Sequence, residues 1–112
     1  MKLYVGIIAV ALSAMAAAWQ ATRAEPDEQV EVQLADKGKS LYVRHCARCH
    51  GFNLVTPGTV AYDLRLFPRD GKARFVQSVS EGKNGRMPKW GDVLNGDDID
   101  QLWAYVRTGG KQ

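Results

Sequence analysis

At 112 residues the chain has room for one domain. Its two cysteines, three positions apart, exclude the disulfide scaffold that stabilises many small secreted proteins. The net charge of +3 falls in blocks: five acids and no base from Glu25 to Asp36, eleven bases against three acids from Lys37 to Lys89, and four acids against two bases from Trp90 onward. A basic middle between acidic ends suits an acidic protein partner and argues against nucleic acid.

Lys2 is followed by an uncharged run, Leu3 to Thr22, dominated by Ala, Ile, Val and Leu. Thr22-Arg23-Ala24 then puts a small side chain at both positions that a signal peptidase inspects. Residues 1–24 are therefore expected to form a secretory signal peptide cleaved after Ala24. The competing reading is a retained membrane anchor, since about 20 apolar residues can span a bilayer. In either case the remainder is expected outside the cytoplasm, in the periplasm. Without residues 1–24 the chain loses Lys2 and Arg23 and sits near +1. A domain of that size buries only about 60–70% of its unfolded surface and needs further stabilisation. A bridge between Cys46 and Cys49 would close too small a loop to supply it, which points to a buried cofactor.

Residues 25–35, acidic and carrying Pro26, read as a flexible leader, and residues 36–112 as the domain. A first helix is predicted from about Asp36 to Cys46, with Gly38, Leu41 and Tyr42 on one side. Gly51 to Tyr62 reads as loop, broken by Asn53, Pro57 and Gly58. A second helix is predicted over Lys72 to Glu81 from the stripe Phe75, Val76, Val79, with Gly82 as its stop. Lys83 to Asp92 is loop again. The last helix is capped by Asn95 with Asp98 three residues on, repeats Ile99, Leu102, Trp103 and Val106 at helical spacing, and ends at Gly109-Gly110. No stretch alternates with a two-residue period. The fold class is all-α.

Cys46-Ala47-Arg48-Cys49-His50 carries the chemistry. C-x-x-C-H is the attachment signature of c-type haem: each thiol can add to one vinyl group of the ring, and the adjacent imidazole can then ligate the iron. A structural zinc site would need Cys46, Cys49, His45 and His50, all within six residues, to wrap a tetrahedron, which the spacing forbids. A thioredoxin-type dithiol belongs beside a βαβ pattern that is absent here. One covalently attached haem c, joined through Cys46 and Cys49, is therefore the expected cofactor. For the sixth iron ligand, His45 is tied to the attachment face because it directly precedes Cys46. Met87 stands in a polar loop, Asn84 to Gly91, without apolar periodicity, where a gap-filling core methionine is not expected. The predicted metal ligands are His50 and Met87. A thioether favours Fe(II), raises the potential relative to a second histidine and closes the iron to outside ligands, which suits carrying electrons.

With these residues in place the sequence resembles the mono-haem class I cytochromes c: Gly38 and Tyr42 in the first helix, the Cys46 to Gly51 segment, Met87-Pro88 and the final helix, over about Lys37 to Gly109. The resemblance implies a small helical domain wrapped around one haem, with the first and last helices crossing near a glycine and Gly38 and Tyr42 meeting Leu102 and Tyr105. A narrower likeness is to periplasmic cytochromes that accept electrons from PQQ-dependent methanol and ethanol dehydrogenases, carried by Asp63-Leu64-Arg65, Phe75 to Gly82, Gly85 to Gly91 and Ile99 to Arg107. It implies a monomeric electron carrier, not an enzyme, between a dehydrogenase donor and an oxidase or cytochrome acceptor. A membrane would be involved only if residues 1–24 were retained. The steering rim would draw on Arg44, Arg48, Lys83, Arg86 and Lys89. The alternative is a haem enzyme or gas sensor with a labile Met87, for which the Met87 loop offers no proton-handling group. Relatives often have Pro just before the Asp-Leu-Arg segment, where this chain has Tyr62, so the acceptor for the His50 N–H stays open. Arg65 and Trp90 read equally as contacts to haem propionates or as a surface arginine and a packed tryptophan.

Overall fold

A proline opens the first helix. In the computed structural model, which describes residues 25–58 and 61–111, α1 spans Pro26–His45. The expected signal peptide lies outside the described residues. Two expectations are corrected here: α1 begins at Pro26 rather than near Asp36, and residues 26–35, read as a flexible leader, form its opening turns. Proline suits the first helical position, where its fixed φ is already helical and its missing N–H has no helical partner to lose. Asp27 and Glu28 lie in the first turn and Arg44 and His45 in the last, each sign matched to the helix dipole. Ala35 is buried, and the Glu31 carboxylate reaches within 3.7 Å of Arg107 on the last helix.

Cys46 (φ −118°) separates α1 from α2, a single turn over Ala47–His50. Two helices fall where periodicity predicted them: α3 over Lys72–Glu81, stopped by Gly82 at φ +73°, and α4 over Gly96–Arg107. The Asn95 carboxamide oxygen accepts from the Asp98 N–H (2.9 Å), while the Asp98 carboxylate accepts from the Asn95 N–H (3.1 Å), so both halves of the capping box are made. The stretches read as loop hold the 3₁₀ turns Phe52–Leu54 and Trp90–Asp92, and a further one, Leu64–Leu66, lies between the first loop and α3. Among the described residues there is no β-strand, only one isolated antiparallel bridge between Lys83 and Met87. No described helix is long and apolar enough to cross a membrane.

The largest interface joins α1 to α4. Gly38 makes it possible, since a Cβ there would overlap the Gln101 carbonyl and press on Tyr105. Tyr105 meets Tyr42 as expected, ring centroids 5.2 Å apart, and Gly38 lies against the Gln101 carbonyl and the Tyr105 Cβ. Ile99, Leu102, Trp103, Ala104, Tyr105 and Val106 are all buried, so α4 is covered on more than one side. Its second neighbour is α3, reached through Phe75 on Trp103 at 5.2 Å. Phe67 wedges edge-on between them, 5.8 Å from Phe75 and 5.9 Å from Trp103, and the Arg74 guanidinium covers its face. Past Arg107 the chain turns back through Gly110, whose missing side chain allows close approach to the Asn53 carbonyl. This joins the end of α4 to the turn that follows the cysteine segment.

Candidate functional site

The end of α1 delivers the C-x-x-C-H residues. The Cys46 N–H donates to Tyr42 O (2.8 Å), and the Cys46 carbonyl then accepts from the N–H groups of Cys49 (3.1 Å) and His50 (2.9 Å). One turn therefore presents both cysteines and the histidine. At its end Gly51, φ +82°, bends the chain so sharply that a Cβ would overlap the Val55 carbonyl. The Tyr42 hydroxyl donates to the Gly51 carbonyl from a fully buried position, which locks α1 to the exit of the turn. Burial pushes that hydroxyl well above the usual tyrosine range, with repulsion from Cys46 and Tyr105 adding to it.

Neither Cys46 nor Cys49 forms a disulfide. They differ in setting: Cys46 packs against the apolar core while Cys49 is exposed. Burial first, and the neighbouring Cys49 charge second, push the Cys46 thiol up to about 12. His50 answers the question left by Tyr62, because its Nδ1 lies 3.1 Å from the Tyr62 carbonyl oxygen. A carbonyl only accepts, so the neutral ring carries its proton on Nδ1 and keeps the Nε2 lone pair for a metal. Nothing in the sequence pattern marks this acceptor, since any residue at position 62 supplies a carbonyl.

Met87 sits at the base of a tight reverse turn. Lys83 and Met87 exchange both backbone hydrogen bonds, Lys83 N–H to Met87 O at 3.1 Å and Met87 N–H to Lys83 O at 3.0 Å. Asn84 (φ 54°) and Gly85 (φ 66°) make the reversal, and Asn-Gly is the dipeptide that signals it. Met87, Trp90 and Cys46 are all partly buried against the same apolar cluster, so the structure brings the Met87 loop and the attachment turn to one core. Trp90 also stacks on His45, centroids 5.2 Å apart and planes inclined by 58°. Arg65 is held locally by Asp63: its Nε donates to Oδ1 (3.0 Å) and its Nη2 to Oδ2 (2.8 Å). The guanidinium holds the Asp63 carboxyl below its usual range, and the Asp63 carboxylate raises the Arg65 pKa. Lys83, Arg86 and Lys89 line a shallow pocket beside Met87, while Arg44 and Arg48 are exposed on α1 and α2. None of these five bases enters an ion pair among the described residues.

Two thiols outside any disulfide and an imidazole on one turn, with Nδ1 engaged by a carbonyl and a thioether loop on the same core, fit a covalently attached haem. Such a turn at the junction of an all-α domain, with the terminal helices crossing at a glycine, defines a class I mono-haem cytochrome c. The family model described as Cytochrome C oxidase, cbb3-type, subunit III matches residues 33–106, and the chain belongs to this family. It is similar to the Cbb3-type cytochrome c oxidase subunit CcoP of Azospirillum brasilense, 36% identical in an alignment that covers 69% of this chain and 30% of that one. It is similar to cytochrome c6 of Cladophora glomerata, 31% identical over 69% of this chain and 90% of the relative. A third likeness is to the quinohemoprotein alcohol dehydrogenase ADH IIB of Pseudomonas putida, 34% identical over 63% of this chain and 10% of that enzyme. The chain thus spans under a third of the length of the CcoP and FixP oxidase subunits it matches. No solved structure matches it significantly. The family fixes the cofactor class as haem c, with Cys46 and Cys49 at the attachment spacing.

Proposed function

We propose that this is an exported, periplasmic one-electron carrier. Its haem is joined through Cys46 and Cys49, and its iron is held between His50 Nε2 and the Met87 sulfur. Bound haem c supplies reversible one-electron chemistry at iron. The chain's own residues do the rest. The Tyr62 carbonyl fixes the imidazole tautomer and orientation, and the Lys83–Met87 bridge holds the thioether loop. Packing of Met87 and Cys46 on one apolar cluster is the observation that carries the reading. The donor is a quinoprotein alcohol dehydrogenase and the acceptor a terminal oxidase. Similarity to domains in both kinds of protein supports this choice of partners. The exposed bases Arg44, Arg48, Lys83, Arg86 and Lys89 steer an acidic partner and release it quickly.

Two measurements test this. Carbon monoxide added to the reduced holoprotein at neutral pH should leave the spectrum unchanged; a prompt change would favour a haem enzyme or gas sensor with a labile Met87. Reduction by a purified quinoprotein alcohol dehydrogenase should slow as salt is added. A rate indifferent to ionic strength would remove the steering rim.

A further inference from the structure

We propose that Trp90 is a positioning residue for Met87: its indole, packed on the ring of His45, fastens the loop carrying Met87 to the segment carrying Cys46. This rests on the reading of Met87 as an iron ligand.

Most of the contacts that hold the Met87 loop lead to the end of α3. Lys83, two residues past that helix, exchanges both backbone bonds with Met87. Gly82 lets the Met87 carbonyl pass where a Cβ would meet it. Gly91 lies against the Ser80 carbonyl, 2.8 Å from where its Cβ would stand. These contacts make the loop a flap hinged on α3. Besides the shared core, a ring contact crosses to the attachment side: Trp90 on His45, a tilted pair at 5.2 Å, within the attractive range for aromatic side chains. His45 is the last residue of α1 and immediately precedes Cys46, so its place is fixed by the same helix end that places the cysteines. Trp90 follows Met87 by three residues, with Pro88 stiffening the chain between them. Without the clasp the flap keeps its hinge and its packing on the core but loses its ring contact with the attachment segment, and Met87 is within reach of the iron for a smaller fraction of the time.

An outside ligand can bind only where Met87 has left, so its apparent affinity for the ferric holoprotein measures the open fraction. With imidazole as the probe, Trp90→Ala should bind about three- to tenfold more tightly than the parent, the range expected for losing one ring pair. Trp90→Phe keeps a ring on His45 and should stay close to the parent. His45→Ala should match Trp90→Ala, and the double variant should bind no more tightly than either single one. Equal effects of Trp90→Phe and Trp90→Ala would overturn the proposal by assigning the role to the indole N–H, and additive effects of the two alanine variants would overturn it as well. If Trp90→Ala does not accumulate as holoprotein, His45→Ala and Trp90→Phe decide alone. Met87→Ala separates the two readings. If it leaves imidazole affinity and the thioether–iron absorption of the ferric protein unchanged, Met87 is not the ligand. If it opens the iron and Trp90→Ala does not, only the clasp fails. Thermal unfolding of each variant gives a readout independent of the iron, and a clasp should move ligand affinity further than Tm.

Discussion

His50 Nδ1 points at the backbone of Tyr62, twelve residues away, across 3.1 Å. Because the acceptor is a carbonyl, the side chain at position 62 matters only through what it does to the backbone. The Tyr62 ring meets Phe67 edge-on at 6.4 Å, and its hydroxyl donates to the Leu66 carbonyl at 3.2 Å. Both contacts hold the segment that carries the acceptor. Tyr62→Phe keeps the ring and should leave the reduction potential unchanged. Tyr62→Gly loses ring and hydroxyl together, should cost about 1–2 kcal/mol by thermal unfolding, and should shift the potential as the bond between His50 Nδ1 and the carbonyl at position 62 loosens. Equal potentials for the parent and the glycine variant would show that the carbonyl is held by other means.

Removing the Met87 sulfur tests the ligand pair directly. A thioether is a soft donor that favours the reduced iron, so Met87→Ala should lower the reduction potential by at least tenfold in the one-electron equilibrium, about 59 mV. The same variant should bind carbon monoxide when reduced, which the parent should not. Redox titration and a carbon monoxide difference spectrum check the two halves.

The crossing of α1 on α4 makes Gly38 a position that tolerates no side chain without a shift. A methyl group at Gly38 would overlap the Gln101 carbonyl, and backbone on backbone leaves no flexible atom to yield. Gly38→Ala should therefore cost about 1–3 kcal/mol or more, as overpacking does, despite the better helix propensity of alanine. Denaturant unfolding of the holoprotein measures it. A neutral substitution would mean that the two helices can slide apart.

The sequence announced the parts of this molecule that depend on local signals. α3 matches its predicted bounds because Phe75, Val76 and Val79 share one side and Gly82 at φ +73° has the conformation that ends it. The cap of α4 was legible because Asn95 and Asp98 stand at capping-box spacing and close on each other. The opening of α1 is not legible locally, because an acidic stretch carrying Pro26 suits a leader as well as a helix start, where proline takes the first position and the acids face the helix dipole. At the site, Cys46, Cys49 and His50 are a contiguous motif, and Met87 emerged by elimination. The Tyr62 carbonyl, the Trp90–His45 contact and the Lys83–Met87 bridge join residues through space or through the backbone. The bridge alone left a trace in the residue pattern, the Asn84-Gly85 dipeptide.

Tyr42 supplies a pH test that does not involve the iron. Its hydroxyl is buried, donates to the Gly51 carbonyl and is held above the usual tyrosine value of 10.0, chiefly by burial. The unfolded chain therefore gives up this proton at a lower pH than the folded one does. Folding stability from this group is whole below about pH 10 and declines as pH rises beyond it, because the folded state then binds more protons than the unfolded. Tyr42→Phe should cost about 1–2 kcal/mol at pH 7, for the lost hydrogen bond and the carbonyl left behind, and should flatten the alkaline decline. Tyr105, also raised by burial, retains part of the slope in that variant. In the holoprotein both cysteines are thioethers and do not titrate, so they cannot supply the same signal. Denaturant unfolding of parent and variant at pH 7 and again above pH 10 decides it: the gap between them should narrow as pH rises, and a constant gap would mean that the Tyr42 proton is not linked to folding.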